Sequence, residues 1–377
     1  MYRDHPTVAK PCGQPRTQQL GYLQAVFNAV FDADSVDEAE LMKSQRVLVT
    51  GATGMVGRRL VPRLLEAGYQ VAALVRDPAS ASDLQAAGAE LSVGDLASPE
   101  SVVPALNEAD IVVHTAAHVG DWGPPEQYRA INVDALEKLV TAAQRIGRLQ
   151  RWIQISSLGV YGSRDHYGTD ESASIVVQGI DGYTQTKAEA EVILRRYVEE
   201  WQFPAVVLRP GFIYGPGDRH VLPRLIEKLH DGSLKLIGKG DRLLNNIYVD
   251  NLNDAILLAM EKDEAIGEVF NLRDRRLVTR REFIGAICEY FDRPLPPSVP
   301  LALAKVVVGP MESMARLRGA KTAPLLTRAR MKFMTKNLDF SIEKAERVLG
   351  YRPAVDFREG MLEALRDAAP ASQSSSS

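Results

Sequence analysis

Length, composition and charge limit what kind of protein this chain can be. It has 377 residues, enough for one large α/β unit with a smaller attached domain, and 45% of them are hydrophobic. The net charge of −3 provides no basic excess that would indicate nucleic-acid binding. The two cysteines are too few for a disulfide framework, and no His/Cys/Asp cluster has metal-ligand spacing. We therefore expect a globular protein without a metal site or a nucleic-acid partner.

The apolar segments of the chain are too short to cross a membrane. The longest, at 299–310, is interrupted by Lys305, whereas a spanning helix needs about 20 apolar residues. A buried or surface-lying helix is expected there, with peripheral membrane contact as the alternative. The amino terminus lacks the parts of a signal peptide, so a cytoplasmic location is expected.

Residues 1–45 precede the regular pattern of the chain and form an N-terminal extension. Apolar residues at helical spacing predict one amphipathic helix in it, docked on the domain or on a partner: Leu20, Leu23, Phe27, Val30 and Phe31. A start codon assigned too far upstream of Met42 would equally account for the extension. At the other end, residues 369–377 form a serine-rich tail that is expected to be disordered.

From Arg46 onward, short β-branched apolar runs alternate with helical stretches. The runs have the character of buried parallel strands and lie at 46–50, 70–75, 89–93, 110–114, 151–156 and 204–209. The clearest helices between them are 55–67, 126–146 and 182–201. This alternation predicts an α/β fold, with a doubly wound parallel (Rossmann) sheet and a dinucleotide-binding domain over residues 46–212.

After residue 213 the regular alternation ends. The pattern there predicts helices at 219–230, 250–262, 279–292 and 341–348. Short strands are predicted near 234–237, 246–249 and 268–271. We expect residues 213–368 to form a smaller, mostly helical substrate-binding domain, with some segments returning to the sheet. It would close over the carboxyl edge of the sheet, where open α/β folds bind ligands.

The segment VLVTGATGMVG places three glycines between the first strand and the first helix. Gly51 permits a tight turn, Gly54 lets the backbone approach a pyrophosphate, and Gly57 permits close packing of helix on strand. The helix N-terminus adds unpaired N–H groups for the phosphates. Because the glycines stand between a strand and a helix, the pattern predicts a dinucleotide site rather than a purely structural turn.

The residue after the second predicted strand bears on the choice of cofactor. Arg76 stands where NAD-specific sites carry an acidic residue, and its guanidinium suits the 2′-phosphate of NADP(H). Arg58 and Arg59 are candidates to extend the same pocket. The alternative is that Arg76 is a solvated strand-end residue and that Asp77 binds the ribose. The sequence thus favours NADP(H) over NAD(H).

Tyr183 and Lys187 lie four residues apart in a helix-favouring segment, so their side chains share one face. A tyrosine, with a pKa of about 10, needs a nearby cation to act as an acid–base catalyst at neutral pH. Lys187 would supply that charge and bond the nicotinamide ribose. Ser157 ends an apolar strand, where its hydroxyl would polarise a substrate carbonyl while Tyr183 donates the proton. The neighbouring Ser156 is expected to turn into the sheet.

Further motifs continue this pattern over residues 45–368. They are TGATGMVG, GDL at 94–96, HTAA at 114–117, INV at 131–133, SSLGVYG at 156–162, YTQTK at 183–187, RPGFIYGPGD at 209–218 and NIYVDNL at 246–252. Together they resemble the extended branch of the short-chain dehydrogenase/reductase family (the NAD-dependent epimerase/dehydratase superfamily). Its 3β-hydroxysteroid dehydrogenase-like group is most similar in HVGDWGPPEQYRAINV, NNIYVDNLNDAI, TAPLLTRAR and SIEKAERVLGYRP.

The resemblance implies an NAD(P)(H)-dependent oxidoreductase that interconverts a ketone and a secondary alcohol. In such members the substrate is large and apolar, sterol-like or a long-chain ketoacid. VRDP at 75–78 is similar to NADPH-dependent reductases and favours the reductive direction. By the same resemblance Asp95 and Leu96 would flank the adenine. The remaining implied cofactor contacts are Thr53, Met55, Val56, Ala116, Ala117, Asn132, Ile155, Pro210, Phe212 and Ile213.

A nucleotide-sugar epimerase is the main alternative function. Epimerases usually carry an arginine that grips the sugar diphosphate where this chain has Asn245 and Asn246, although Arg242 is close enough to compensate in part. Leu158 and Gly159 stand where the dehydratases usually carry an Asp-Glu pair, which disfavours dehydration. A non-catalytic dinucleotide sensor is disfavoured, because such proteins typically lose the tyrosine or the lysine that this chain keeps.

Several polar and aromatic residues have weaker patterns. Candidates to line the substrate pocket, with ordinary packing as the alternative, are His118, Trp122, Tyr161 and Tyr214. His114 is expected to be a strand residue with a satisfied ring. The helices at 126–146 and 182–201 are candidates to pair across a two-fold axis in a homodimer. The exact substrate, and whether isomerisation or decarboxylation accompanies the redox step, stay open.

Overall fold

The computed structural model describes residues 45–179, 181–320, 323 and 327–369. The N-terminal extension with its expected helix lies outside the described residues, as does the serine-rich tail beyond Ala369. None of the described helices combines the length and the apolar character that crossing a membrane would require.

Short strands are distributed along the whole described chain. They are β1 Arg46–Thr50, β2 Gln70–Val75, β3 Glu90–Val93, β4 Ile111–His114, β5 Arg151–Ile155, β6 His166–Thr169, β7 Ala205–Pro210, β8 Phe212–Tyr214, β9 Leu236–Ile237, β10 Leu243–Leu244, β11 Asn246–Tyr248, β12 Val269–Leu272, β13 Val278–Thr279, β14 Ser298–Val299 and β15 Leu338–Phe340. The six strands predicted for the dinucleotide-binding half are all present, within one residue at each end.

Seven of these strands form one parallel sheet in the order β3-β2-β1-β4-β5-β7-β12. Strand addition reverses direction between β1 and β4, and open α/β sheets bind ligands at such a switch point. The predicted doubly wound Rossmann sheet is therefore confirmed. The strand predicted near 268–271 is β12, which returns to this sheet as an edge strand.

The α-helices follow the strands in the alternation that the sequence predicts. They are α1 Met55–Glu66, α2 Ser82–Ala86, α3 Val103–Glu108, α4 Pro125–Arg129, α5 Ala135–Ile146, α6 Gly182–Trp201, α7 Leu222–His230, α8 Val249–Glu261, α9 Arg280–Tyr290, α10 Leu301–Leu317, α11 Arg328–Thr335 and α12 Phe357–Ala368. A π-helical turn, Ala130–Asp134, joins α4 to α5, so the predicted helix at 126–146 is one helical stretch. Of α10 only Ala304 is buried, so this helix lies on the surface.

One face of the sheet is covered by α5 and α6. Their buried side chains, such as Leu139 and Leu194, form one hydrophobic core with Leu48, Val112 and Trp152 of the strands. α1 and α8 contact each other and lie outside that core, so they cover the opposite face. Helices on both faces explain why the strands are apolar throughout rather than alternating.

A second core joins the later part of the chain to the loop after β5. α7, α9 and α12 contribute apolar side chains to it, and so do Leu158 and Val160 of that loop and Ala188 of α6. Met55 and Val56 at the start of α1 pack against the same core. The later segments therefore cover the edge of the sheet at which the glycine turn and Ser157 lie.

Candidate active site

The glycine turn after β1 has a backbone shape that side chains would not permit. Gly51 has a φ of +70°, and a Cβ there would lie 2.6 Å from Thr115 Oγ1 and 2.8 Å from Ala116 N. At Gly57 a Cβ would collide with the Gly51 carbonyl oxygen. Gly54 caps α1 without any side-chain hydrogen bond, which leaves the first N–H groups of the helix available. This cradle fits the pyrophosphate of a dinucleotide.

The other residues expected around the cofactor follow the ends of β1, β3 and β4. Thr53, Met55 and Val56 are half-buried at the start of α1. Leu96 is buried after β3, and the Asp95 carboxylate accepts a hydrogen bond from Ala97 N at 3.0 Å. Ala116 and Ala117 are half-buried directly after β4, at the switch point of the sheet.

Arg76 directly follows β2 and is exposed. It has no side-chain partner among the residues that the structure describes. The Asp77 carboxylate beside it accepts a hydrogen bond from Ala79 N at 3.0 Å. Arg58 reaches the same loop, where it donates to Ser80 O at 2.8 Å and pairs with Asp83.

The structure does not support a place for Arg59 in this pocket. Its guanidinium makes a bidentate contact with the Asp250 carboxylate of α8 instead. A bidentate pair of this kind fixes the direction of the side chain.

The structure brings Ser157, Tyr183 and Lys187 together at the end of β5. Ser157 follows the strand, and its Oγ accepts a hydrogen bond from Gly159 N at 3.1 Å. Tyr183 lies in the first turn of α6, close enough to Ser157 for that residue to lower the pKa of its phenol. The Lys187 ammonium donates to Ile155 O at 2.6 Å and lies 5.8 Å from the centre of the Tyr183 ring.

Burial shifts the pKa of both candidate catalytic groups, Tyr183 and Lys187. Burial, reinforced by the negative charge of Asp181, raises the pKa of Tyr183 to about 12, while the hydrogen bond with Ser157 opposes this. Burial lowers the pKa of Lys187 to about 8, and the carboxylate of Glu191 opposes that shift. At neutral pH the phenol is therefore protonated and ready to donate.

Behind the catalytic groups lies a buried ion pair that the sequence analysis missed. Glu191 of α6 accepts hydrogen bonds from Arg209 Nε at 3.0 and 3.1 Å, and the two side chains are 5% and 2% exposed. Ser156 also donates to Glu191, so it turns inward as expected. Glu191 follows Lys187 by four residues, as Lys187 follows Tyr183. This spacing places the three side chains on one face of the helix, and it was the signal in the sequence that could have indicated a role for Glu191.

Tyr161 and Tyr214 have hydroxyls that are already engaged in the protein. Tyr161 lines a cavity between the loop after β5 and α11. Its hydroxyl nevertheless donates to Asn271 Oδ1 at 2.8 Å and accepts a hydrogen bond from Arg209. Tyr214 is 2% exposed and donates to Asp274 Oδ2 at 3.0 Å. Neither hydroxyl is free to bond a substrate, and a place for the two rings in the substrate pocket stays a prediction.

His118 and Trp122 lie in the half-buried loop after β4. The His118 ring packs edge-on against Tyr128 at 4.6 Å between centroids. Trp122 Nε1 donates to Ala320 O at 2.8 Å, and the Arg316 guanidinium lies 5.0 Å from its ring centre. Trp122 therefore connects this loop to the end of α10.

Asn132 is buried and holds this loop against α6. Its amide accepts a hydrogen bond from His118 N at 2.7 Å, and donates to His118 O and to Thr186 Oγ1, both at 3.0 Å. This pairing positions Ala116 and Ala117 relative to the catalytic helix. His114, at the end of β4, is buried with its ring satisfied by Thr50 at 2.9 Å, as expected.

The residues expected near the nicotinamide follow the end of β7. Pro210 is the last residue of that strand, and Phe212 and Ile213 are half-buried in β8. The Phe212 ring packs against Phe333 of α11 at 4.9 Å between centroids. This contact brings α11 to the same edge of the sheet as the catalytic groups.

Two cavities are lined by sequence neighbours of Tyr183, the first by Thr184 and the second by Gly182. The first, of about 140 Å³, lies between the loop after β5 and α11, and Gly159, Thr184 and Lys332 are among its lining residues. The second, of about 160 Å³, lies towards α10, and its lining includes Trp122 and Tyr128. Gly179 lines both cavities, and each cavity also includes residues from the start of α6.

The region that would grip a sugar diphosphate in an epimerase is differently built. Asn246 is fully buried, and its amide donates to Asp274 Oδ2 at 2.8 Å. Arg242 is exposed and donates to the Tyr167 hydroxyl at 3.1 Å. The possible compensation by Arg242 is therefore not supported, because its guanidinium is directed to Tyr167.

Residues 47–272 match the model of the NAD dependent epimerase/dehydratase family. The chain belongs to this family. It is thus an NAD(P)-dependent oxidoreductase of the extended short-chain dehydrogenase/reductase type, as the motifs indicate.

Similar proteins within the family are named as reductases and dehydrogenases. A 2-alkyl-3-oxoalkanoate reductase of Shewanella oneidensis is 30% identical over 93% of this chain and 94% of the relative. A 3-beta-hydroxysteroid dehydrogenase of Mycolicibacterium neoaurum is 31% identical over 85% of this chain and 90% of the relative. A solved epimerase structure from Methanothermobacter thermautotrophicus has a TM-score of 0.71 at 27% identity, over 88% of this chain and 94% of that one. The shared fold therefore does not separate reductases from epimerases.

Proposed function

We propose that this enzyme is an NADP(H)-dependent ketoreductase that interconverts a large apolar ketone and its secondary alcohol. The observation that carries the proposal is the grouping of Ser157, Tyr183 and Lys187 at the end of β5, with Lys187 one helical turn after Tyr183. The relatives named for 3-oxoalkanoates and for a steroid support an apolar ketone or alcohol as substrate. The engaged Asn246 and Arg242 weigh against a nucleotide sugar.

In this proposal each catalytic side chain has one task at the substrate carbonyl. When bound, the reduced nicotinamide supplies a hydride to the carbonyl carbon. Ser157 donates a hydrogen bond to the carbonyl oxygen, and the Tyr183 hydroxyl transfers its proton to that oxygen as the new C–H bond forms. The Lys187 ammonium stabilises the phenolate that remains. The ketone thus gains one hydride and one proton and becomes the alcohol.

The preference for NADP(H) rests on the surroundings of Arg76. Its guanidinium is exposed at the end of β2 and available for a 2′-phosphate, whereas the Asp77 carboxylate is engaged with Ala79 N. The glycine turn would hold the pyrophosphate, and Asp95 and Leu96 would flank the adenine. Ile155, Asn132 and the segment at 210–213 would complete the nicotinamide end.

The division into two domains and the formation of a homodimer belong to the same proposal. Residues 46–212 would form the dinucleotide-binding domain and residues 213–368 the substrate-binding domain, with β12 returning to the sheet.

The helical stretches at 126–146 and 182–201 would pair across a two-fold axis in a homodimer. Val192 and Trp201 of α6 are 49% and 46% exposed, which supports an apolar contact there. Light scattering on the purified chain tests this, and a monomeric mass would contradict it.

The experiment that tests the function is a screen of ketones with the oxidation of NADPH and of NADH followed separately. We expect turnover of long-chain ketones with NADPH. Replacing Tyr183 by Phe should lower kcat by about 10²- to 10⁴-fold, because the proton donor is lost. Unchanged activity of that variant would refute the catalytic assignment, and turnover of UDP-sugars alone would refute the substrate class.

A further inference from the structure

The charged side chains that line the first cavity are all positive. Lys332 and Arg164 line it, and the lining contains no acidic side chain among the described residues. The second cavity, by contrast, is lined by Asp121, Asp181 and Glu312 as well as by Arg316. A cavity bordered by cations alone favours an anion over a neutral or a positively charged group.

Lys332 is the cation of this cavity that lies deeper in the protein. It is half-buried on α11, and its ammonium donates to Gly159 O at 3.1 Å. No carboxylate of the described residues lies within 4.0 Å of it, although the ammonium has three protons to donate. Burial lowers the pKa of Lys332, while Asp181 opposes this, so an anionic partner would stabilise its charged form.

The position of the cavity relative to the catalytic hydroxyls limits which anion it could hold. Gly159, whose carbonyl accepts from Lys332, also donates its N–H to Ser157 Oγ at 3.1 Å. Thr184, another lining residue, directly follows Tyr183. In a 3-oxo acid the carboxyl carbon lies only two C–C bonds of about 1.5 Å from the carbonyl carbon. A 3-oxo acid whose ketone is held at Ser157 would therefore carry its carboxylate close to Gly159, the lining residue that contacts both Ser157 and Lys332.

We propose that the first cavity binds the carboxylate of a 3-oxo acid substrate, with Lys332 as its recognition residue and Arg164 as a second positive charge. This inference rests on the proposed function, because the ketone of the same molecule must lie at Ser157 and Tyr183. The inference distinguishes a 3-oxo acid from a steroid ketone as the substrate, because a neutral steroid ketone has no anionic group that Lys332 could bind. Lys332 thereby sets specificity and positions the substrate, while the hydride and proton transfers stay with the catalytic groups.

The test compares a long-chain 3-oxo acid with its methyl ester, which keeps the ketone and the chain but removes the charge. With NADPH, the wild-type enzyme should prefer the acid in kcat/KM. Lys332→Met should lower kcat/KM for the acid about ten- to a hundredfold, mainly through KM, and leave the ester within about twofold. Lys332→Arg should restore part of the preference for the acid. Lys336→Met, directly after the same helix and outside the cavity lining, is the matched control and should change the turnover of neither substrate.

Each outcome decides either the inference or the function beneath it. Equal losses for acid and ester in Lys332→Met would show a structural role and overturn the inference, while the ketoreductase function would stand. A wild-type enzyme that prefers the ester would overturn the inference as well. Absence of NADPH oxidation with both compounds, and with other ketones, would refute the proposed function itself. Should Lys332→Met not fold, calorimetric binding of the 3-hydroxy acid product and of its methyl ester to the wild type decides, with tighter binding of the acid expected and equal affinities refuting.

Discussion

Replacing Glu191 by Gln tests the buried ion pair behind the catalytic groups. The change removes the charge but keeps the shape, and leaves the Arg209 guanidinium, 2% exposed, without a counter-charge. Breaking a buried pair from one side costs about 3–5 kcal/mol, so we expect the free energy of unfolding to fall by about that amount. Urea unfolding followed by far-UV circular dichroism measures it.

The chain offers a matched control for that measurement. Glu137 pairs with Arg196 at 2.7 Å, but these side chains are 43% and 46% exposed. Glu137→Gln should therefore cost less than about 1 kcal/mol, because an exposed pair contributes little in water. If Glu191→Gln were as mild as Glu137→Gln, the pair would not be a buried structural element and the argument from burial would be wrong.

The same variant should also change catalysis through Lys187. Glu191 holds the pKa of Lys187 up against burial, so the pKa should fall further below about 8 when the carboxylate is neutralised. In the pH profile of kcat/KM, the decline on the alkaline side should then begin at lower pH than in the wild type. An unshifted profile would show that Glu191 does not act on Lys187.

Three further predictions concern the cofactor and the proton. Because the pKa of Lys187 is lowered to about 8 and that of Tyr183 is raised to about 12, reductive kcat/KM should be level below pH 8 and decline above it, as the ammonium loses its proton. A profile that is flat through pH 8 would contradict this. Gly51→Ala should weaken NADPH binding, and it should destabilise the fold more than Gly350→Ala does. Both glycines have a φ near +70°, but only Gly51 has atoms close to the position of an added Cβ. Equal unfolding midpoints of the two variants would contradict this prediction. Arg76→Gln should raise KM for NADPH about tenfold or more and leave NADH nearly unchanged, and a wild type that prefers NADH would refute that role.

Much of the fold follows from local sequence patterns. β-branched runs of four to six residues predict the central strands, and the apolar spacing of 182–201 predicts α6 with its observed bounds. Helix and strand periods depend on neighbouring residues, so they are readable from the chain alone. The sheet partner of β12, at its edge beside β7, depends on contacts between distant segments, and no local period encodes it.

The same distinction separates the parts of the active site. Ser157, Tyr183, Lys187 and the glycine turn are readable from sequence because each belongs to a short motif with a fixed place on a strand end or a helix face. Lys332 reaches Gly159 across 173 residues of sequence, and Arg59 is drawn to Asp250 across 191. Long side chains take their direction from whichever carbonyl or carboxylate the folded chain brings within reach. The sequence alone therefore determined which residues are candidates for the chemistry, whereas only the tertiary structure decided which charged side chains lie near them and which are engaged elsewhere.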